Sequence, residues 1–117
     1  MVQSMKRLFV EAEGFGKRVN ALGGIPLLLT IQNEILRQPE IGKVIPGLGG
    51  VRKMRIADVS RGNGKRGGFR VLYLDLPERE KTYLLWIYGK NESEDISADE
   101  KKIIKSLALH LKKEAST

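Results

Sequence analysis

The chain of 117 residues has no cysteine and one histidine, His110. The absence of cysteine excludes disulfides, thiolate zinc sites and cysteine nucleophiles together, and it suits a reducing compartment. A lone histidine excludes an imidazole acid/base pair, and a packing or surface role is expected for it. Any catalytic chemistry must therefore use other groups.

Long apolar segments are also missing. Apolar runs such as 25–29 fall far below the roughly 18 to 20 residues that a membrane span requires. Near the N-terminus, Arg7 is followed by only three apolar residues before Glu11, too few for a signal peptide. A cytoplasmic protein without a membrane partner is expected, and the length predicts one domain over residues 1–117.

Positive charge is abundant and unevenly placed. Residues 51–90 hold ten Lys or Arg against four acids, which gives +6 of the total formal charge of +7. Tyrosines and the tryptophan are interleaved with these cations, at Tyr73, Tyr83, Trp86 and Tyr88. A phosphate backbone needs cations, and bases can stack on aromatic rings, so RNA or DNA is the expected ligand.

The apolar pattern predicts an α+β fold. It is expected to hold a small, mainly antiparallel sheet with helices before it and one helix after it. The predicted strands cover 8–10, 51–59, 69–76 and 81–88, and the predicted helices cover 14–22, 26–38 and a segment that starts at Ser97.

The last strand and the last helix carry the clearest signals. The strand TYLLWIY is apolar on both faces, which predicts a central strand covered by helices on one face and active on the other. Ser97 and Glu100 have capping-box spacing. The expected apolar stripe of the helix is Ile103, Ile104, Leu107, Ala108 and Leu111.

Two sequence patterns resemble ligand sites but do not predict them. Gly62, Gly64 and Gly67 spell GxGxxG, but a strand is expected to follow, whereas a dinucleotide site needs a helix there. A flexible basic loop remains, whose bare backbone can approach phosphates. The acids in 91–100 crowd a helix start, where the dipole favours them, so no metal site is predicted.

The basic residues on the strands leave alternatives open. Lys53 and Arg55 share one face, where they either protect a sheet edge or bind a ligand. Arg70 borders apolar surface, and burying an unpaired guanidinium is costly. Either an acid such as Asp58 or a ligand phosphate is expected to pair with it.

Three segments together resemble a known family. VRKMRI, GKRGGFRVLYL and TYLLWIYGKNE, followed by a terminal helix, are similar to the RelE/ParE toxin superfamily, most closely to its HigB-type branch. The resemblance covers almost the whole chain. It implies a compact RelE-like fold and a toxin of a type II toxin–antitoxin system. RelE-like members cleave mRNA in the ribosomal A site.

The resemblance also implies site residues. Lys53 and Arg55 stand at the paired basic positions of the second strand, Arg70 at the arginine that opens the next strand, and Lys90 at the basic position after the fourth. The chain departs from the RelE pattern with Asn91 in place of an arginine and Ser97 in place of a tyrosine. The candidates to compensate are Tyr88, Tyr73, Lys65 and Arg66.

Cleavage without a metal would use the 2′-hydroxyl of the RNA as nucleophile. Lys53 is the hypothetical base, Arg55 and Arg70 would hold the phosphate, and Lys90 or Tyr88 would support the leaving group. The wider RNA-binding set is predicted to be Arg52, Arg61, Lys65, Arg66 and Tyr73. No cofactor is expected.

The resemblance implies partners as well: a HigA-like helix-turn-helix antitoxin, the A site of the 30S ribosomal subunit, mRNA, and operator DNA through the antitoxin only. Two other functions stay open. One is inhibition of DNA gyrase, as in ParE-like relatives, and the other is RNA binding without catalysis.

Overall fold

Three helices and five strands are seen in the computed structural model, which describes residues 7–58, 62, 64, 67–89 and 95–115. In chain order they are β1 (Leu8–Glu11), α1 (Glu13–Leu22), α2 (Gly24–Arg37), β2 (Lys43–Val44), β3 (Arg52–Ile56), β4 (Phe69–Leu76), β5 (Lys81–Gly89) and α3 (Ala98–Ala115). The predicted α+β class is confirmed. None of the helices within the described ranges combines the length and apolar character needed to cross a membrane.

All five strands join one sheet in the order β1-β5-β4-β3-β2. Neighbours from β2 to β5 are antiparallel, and β1 alone runs parallel to its neighbour β5. This arrangement confirms the expected, mainly antiparallel sheet. It also makes β5 a central strand, as its uniformly apolar sequence indicates.

Alternation along the strands divides the buried residues into two cores. Val71 and Tyr73 of β4 pack with Phe15 of α1 and with Ile31 of α2. Leu72, which lies between Val71 and Tyr73, faces the opposite side of the sheet and joins the core beneath α3. Helices thus cover both faces of the sheet. The prediction that helices cover only one face of β5 is therefore wrong, because α3 packs over part of the other face.

The start of α3 matches its sequence signal. The Ser97 hydroxyl accepts a hydrogen bond from the Glu100 N–H at 3.1 Å, and the Glu100 carboxylate accepts one from the Ser97 N–H at 3.0 Å. Ile104 and Ala108 are buried as expected. The prediction that Ile103 belongs to the apolar stripe is wrong, because its side chain is mostly exposed. It lies about 100° around the helix from the buried Ile104.

A buried ion pair fixes the chain where it enters β1. Arg7 binds both oxygens of Asp75 on β4, with nitrogen–oxygen distances of 2.9 and 3.5 Å. The Thr82 hydroxyl donates to the same carboxylate at 2.8 Å. These contacts hold β1 beside β5 and explain the register of the parallel pair.

Gly68 marks the tightest backbone approach next to the site. A Cβ atom at this position would lie 2.0 Å from the carbonyl oxygen of Ile56 and 2.8 Å from the Asp58 nitrogen. Neither neighbour can move without disturbing the β3–β4 pair. The connection between these strands therefore requires glycine here.

Replacing Gly68 by alanine is expected to lower the free energy of unfolding by about 1 to 3 kcal/mol, as overpacking does. Urea unfolding followed by circular dichroism measures the change. Gly64→Ala is the matched control, because no other part of the described chain lies within 4 Å of the position that its methyl group would take. Equal stability of the two variants would contradict the close approach at Gly68.

Candidate active site

Three polar side chains lie in a row across neighbouring strands. Arg55 on β3 pairs directly with Arg70 on β4, and Arg70 pairs directly with Tyr88 on β5. Side chains at directly opposite positions of an antiparallel sheet share a face, with Cβ atoms about 5 Å apart. The register therefore brings the two predicted arginines and the predicted tyrosine together on the face that α3 partly covers.

The middle member of the row is buried. Arg70 is only 7% exposed, whereas Arg55 is exposed at the rim. Burial lowers the pKa of Arg70, the charge of Arg55 lowers it further, and Tyr88 acts in the opposite direction. Two guanidinium groups this close create a positive potential that an anion would relieve.

Tyr88 ends the row inside the protein. It is 3% exposed, and its hydroxyl has no hydrogen-bond partner among the described residues. Burial raises the pKa of Tyr88 and nearby Asp95 raises it further, against the influence of Arg70. The phenol therefore stays protonated near neutral pH, where it can donate a hydrogen bond.

Lys53 extends the site along β3. Lys53 and Arg55 are two positions apart, so they share a face as predicted. The Lys53 ammonium lies 3.5 Å from the Asp95 carboxylate, whose second oxygen lies 4.0 Å from the ammonium of Lys101 on α3. The start of α3 is therefore part of the site.

The Asp95 carboxylate is held by several donors. Its Oδ1 accepts a hydrogen bond from the Ile96 N–H at 2.8 Å. Burial by itself would raise the pKa of Asp95, but this N–H, Lys53 and Lys101 together hold the pKa below its ordinary value. Asp95 is consequently ionised at neutral pH.

The structure contradicts the prediction that Tyr73 belongs to the RNA-binding set. Its side chain is fully buried in the core beneath α1 and α2. The hydroxyl donates to the Pro39 carbonyl at 2.8 Å and accepts from the Gly42 N–H at 2.9 Å. A ring in this place cannot stack on a base, and it supports the loop between α2 and β2 instead.

Arg52 also lies away from the row. Its Nη1 atom donates to the carbonyl of Gly42 at 2.7 Å and approaches that of Glu40 at 3.4 Å. Arg52 and Lys53 are adjacent on β3, so their side chains face opposite sides of the sheet. Arg52 therefore does not join the row of Arg55, Arg70 and Tyr88, and it braces the loop that Tyr73 also holds.

The remaining strand aromatics do not form a stacking surface. Tyr83 is buried in the core beneath α3. Trp86 packs against the same core, and the guanidinium of Arg18 on α1 lies 4.9 Å from its ring centroid. Arg18 also donates to the Ile87 carbonyl at 2.6 Å, where it covers the β5 edge beyond β1. The predicted stacking of bases on these rings is therefore wrong.

Several predicted residues fall outside the described part of the chain, namely Lys90, Asn91, Arg61, Lys65 and Arg66. Of the other candidates, Asp58 is buried and lines a small pocket with Leu22 and Phe69. His110 is exposed and lies 3.1 Å from Glu114 on the same helix, as expected for a surface histidine.

Asp95 and Lys101 are the site residues that sequence reasoning missed. The sequence pattern groups Asp95 with the acids that favour a helix start. The capping box at Ser97 is the sequence signal that could have pointed to Asp95, because it places this residue just before α3. The capping box does not show which strand the start of the helix faces. Within the described residues, no three acidic or histidine side chains lie close enough to hold a metal ion.

The fold and this face define a small α+β protein with a cluster of basic side chains on one face of its sheet. A family model described as "RelE toxin of RelE / RelB toxin-antitoxin system" matches residues 35–117, well over half of the chain. The chain belongs to the RelE toxin family.

Solved structures agree with this fold. A double arginine-to-alanine mutant of the E. coli RelE toxin in the free state superposes with a TM-score of 0.54 at 17% identity, covering 77% of this chain and 90% of that one. The isolated E. coli RelE toxin gives a TM-score of 0.54 at 16% identity, covering 86% and 98% respectively. Both matches establish the RelE fold. The HigB-type branch stays a prediction.

Proposed function

We propose that this toxin is an endoribonuclease that cleaves translated mRNA in the ribosomal A site and thereby inhibits translation. The row of Arg55, Arg70 and Tyr88 carries the proposal. It offers two guanidinium groups and a buried hydroxyl that lacks a partner among the described residues. A phosphodiester supplies the anionic oxygens that such a row would bind.

The proposed reaction uses the RNA's own 2′-hydroxyl. Its oxygen loses a proton and attacks the adjacent phosphorus, and the bond from phosphorus to the 5′-oxygen breaks. The products are a 2′,3′-cyclic phosphate and a 5′-hydroxyl, and the 5′-oxygen takes up one proton. The protein has to accept a proton, stabilise the charge on the phosphoryl oxygens and supply a proton.

The arginines are suited to stabilise the charge that develops on the phosphoryl oxygens. A guanidinium stays charged and can present two N–H groups to a phosphate. Because Arg70 is buried, its interaction with developing charge is screened less by water than a surface contact would be. Arg55 is exposed at the rim and would meet the phosphate from the solvent side.

Tyr88 and Lys53 suit the proton transfers. A buried, protonated phenol can donate to the leaving 5′-oxygen, which favours Tyr88 as the acid. Lys53 remains the proposed base. An ammonium held by a carboxylate is a donor, so Lys53 can act as the base only after its pair with Asp95 breaks.

The partners follow from family membership. A RelE-family toxin belongs to a toxin–antitoxin system. We propose that a HigA-like helix-turn-helix antitoxin neutralises this chain, and that operator DNA is contacted through that antitoxin only. Coexpression with the antitoxin should then restore the growth that the toxin arrests.

Mapping of transcript 5′ ends after a short pulse of expression tests the function. We expect new ends within translated regions, in register with the reading frame, and none in untranslated transcripts. A supercoiling assay on DNA gyrase should show no inhibition. Intact messages in cells that contain ample folded toxin would contradict the nuclease proposal. Gyrase inhibition in the same cells would favour a ParE-like toxin.

A further inference from the structure

The contact between β3 and the start of α3 suggests a second anion subsite. Lys53 projects from β3 and Lys101 from the first turn of α3, and the two ammonium groups face opposite oxygens of Asp95. Two cations converging on one carboxylate form an arrangement that a phosphate could also occupy. The subsite lies beside the row of Arg55, Arg70 and Tyr88, since Lys53 is two positions from Arg55 on the same strand face.

The strength of these contacts indicates that Asp95 can be displaced. The nitrogen–oxygen distances are 3.5 and 4.0 Å, longer than those of close charge-assisted hydrogen bonds. The Asp95 side chain is 54% exposed and that of Lys53 is 32% exposed. Solvent-exposed pairs of this kind contribute little to stability, so an incoming phosphate can replace the carboxylate at small cost.

Charge indicates what the displacement does. Ionised Asp95 is a negative group beside a site that we propose binds RNA, so it repels the backbone and also occupies the cations that the backbone needs. Its Oδ1 is oriented by the Ile96 N–H, which keeps the carboxylate directed towards Lys53 in the free protein. RNA must then displace the Asp95 carboxylate before its backbone can reach these cations.

We infer that Lys101 forms a phosphate subsite for the RNA backbone next to Lys53, and that Asp95 is an internal competitor that occupies both lysines until RNA displaces it. The inference rests on the proposed function, because it concerns a neighbouring phosphate of the same RNA. It adds Lys101 to the binding surface and gives the free toxin a contact that restrains RNA binding.

Binding of a single-stranded RNA with 2′-O-methyl groups throughout tests this subsite. The 2′-O-methyl group prevents attack, so the measurement does not depend on cleavage. Asp95→Asn keeps an oxygen that can accept from the Ile96 N–H and removes only the charge. It should bind the RNA about 3- to 10-fold more tightly than the unchanged protein. This range corresponds to removal of one nearby like charge.

Lys101→Met should bind about 3- to 10-fold more weakly, with the slope of log affinity against log salt reduced by about 0.7. Lys102→Met is the matched control. Lys102 is the next residue of α3 and lines a groove with Ile103 and Ser106, away from Asp95, so its variant should keep the unchanged protein's affinity within about twofold.

Two results would overturn the subsite: Asp95→Asn binding no tighter than the unchanged protein, or Lys101→Met and Lys102→Met giving the same affinity and salt slope. Absence of any binding by the unchanged protein would overturn it as well. Failure of the proposed function looks different, because messages would then stay uncut while these binding differences persisted. Thermal unfolding of each variant verifies that it is folded.

Discussion

Replacing Arg70 by alanine should slow cleavage of ribosome-bound mRNA by about a hundred- to a thousandfold. This range corresponds to about 2.7 to 4 kcal/mol, the loss measured when one preorganised donor to a developing oxyanion is removed. Arg70 is the buried centre of the row, with Arg55 on one side and Tyr88 on the other. Arg55 carries the other guanidinium of the row, but it is exposed at the rim, where water screens its charge.

Single-turnover cleavage on programmed ribosomes measures this effect. Arg70→Lys should recover only part of the rate, because an ammonium keeps the charge but lacks the planar pair of N–H donors. Arg79→Ala is the matched control, since Arg79 is exposed in the short turn Pro77–Arg79, at the opposite end of β4 from Arg70. A loss of less than tenfold in folded Arg70→Ala would show that Arg70 does not hold the reacting phosphate.

Tyr88→Phe should separate activity from stability. The Tyr88 hydroxyl is buried and has no partner among the residues that the structure describes. Such a group costs about 1 to 3 kcal/mol, so its removal should leave the free energy of unfolding unchanged or raise it by about 1 kcal/mol. Cleavage should nevertheless fall about a hundredfold, as expected for loss of a general acid. Urea unfolding and single-turnover cleavage on the same preparation give both quantities.

Tyr73→Phe is the opposite case. The Tyr73 hydroxyl bonds to Pro39 and Gly42, and its loss leaves a carbonyl and an N–H without that partner. Stability should fall by about 1 to 3 kcal/mol, while cleavage by the folded fraction should stay within about twofold.

If Tyr88→Phe loses stability and keeps its cleavage rate, the Tyr88 hydroxyl is structural and Tyr88 is not the general acid.

Sequence patterns are sufficient for most of the fold. Apolar periodicity locates α2 and the three long strands, and the Ser97 capping box locates the start of α3. The central position of β5 follows from its apolar sequence. The parallel partner of β5 is not predictable from local pattern, because β1 and β5 lie far apart in sequence.

The site is predictable in part. Lys53, Arg55, Arg70 and Tyr88 come from the strand charges and the family resemblance, and the structure brings them to one face. The predicted set includes Tyr73 although it lies three positions from Arg70, an odd spacing that places the two side chains on opposite faces of a strand. That error is avoidable from the sequence. Asp95 cannot be found in this way, because its approach to Lys53 depends on how α3 packs on the sheet.

The central claim is that a row of arginines and a tyrosine binds the linkage to be cut and promotes attack by the neighbouring 2′-hydroxyl. The most direct measurement uses purified toxin and ribosomes programmed with two messages that differ by one 2′-hydroxyl at the cleaved nucleotide. The ribose message should be cut to a 2′,3′-cyclic phosphate and a 5′-hydroxyl, and the 2′-deoxy message should stay intact. Cleavage of both messages, or of neither, would contradict the claim.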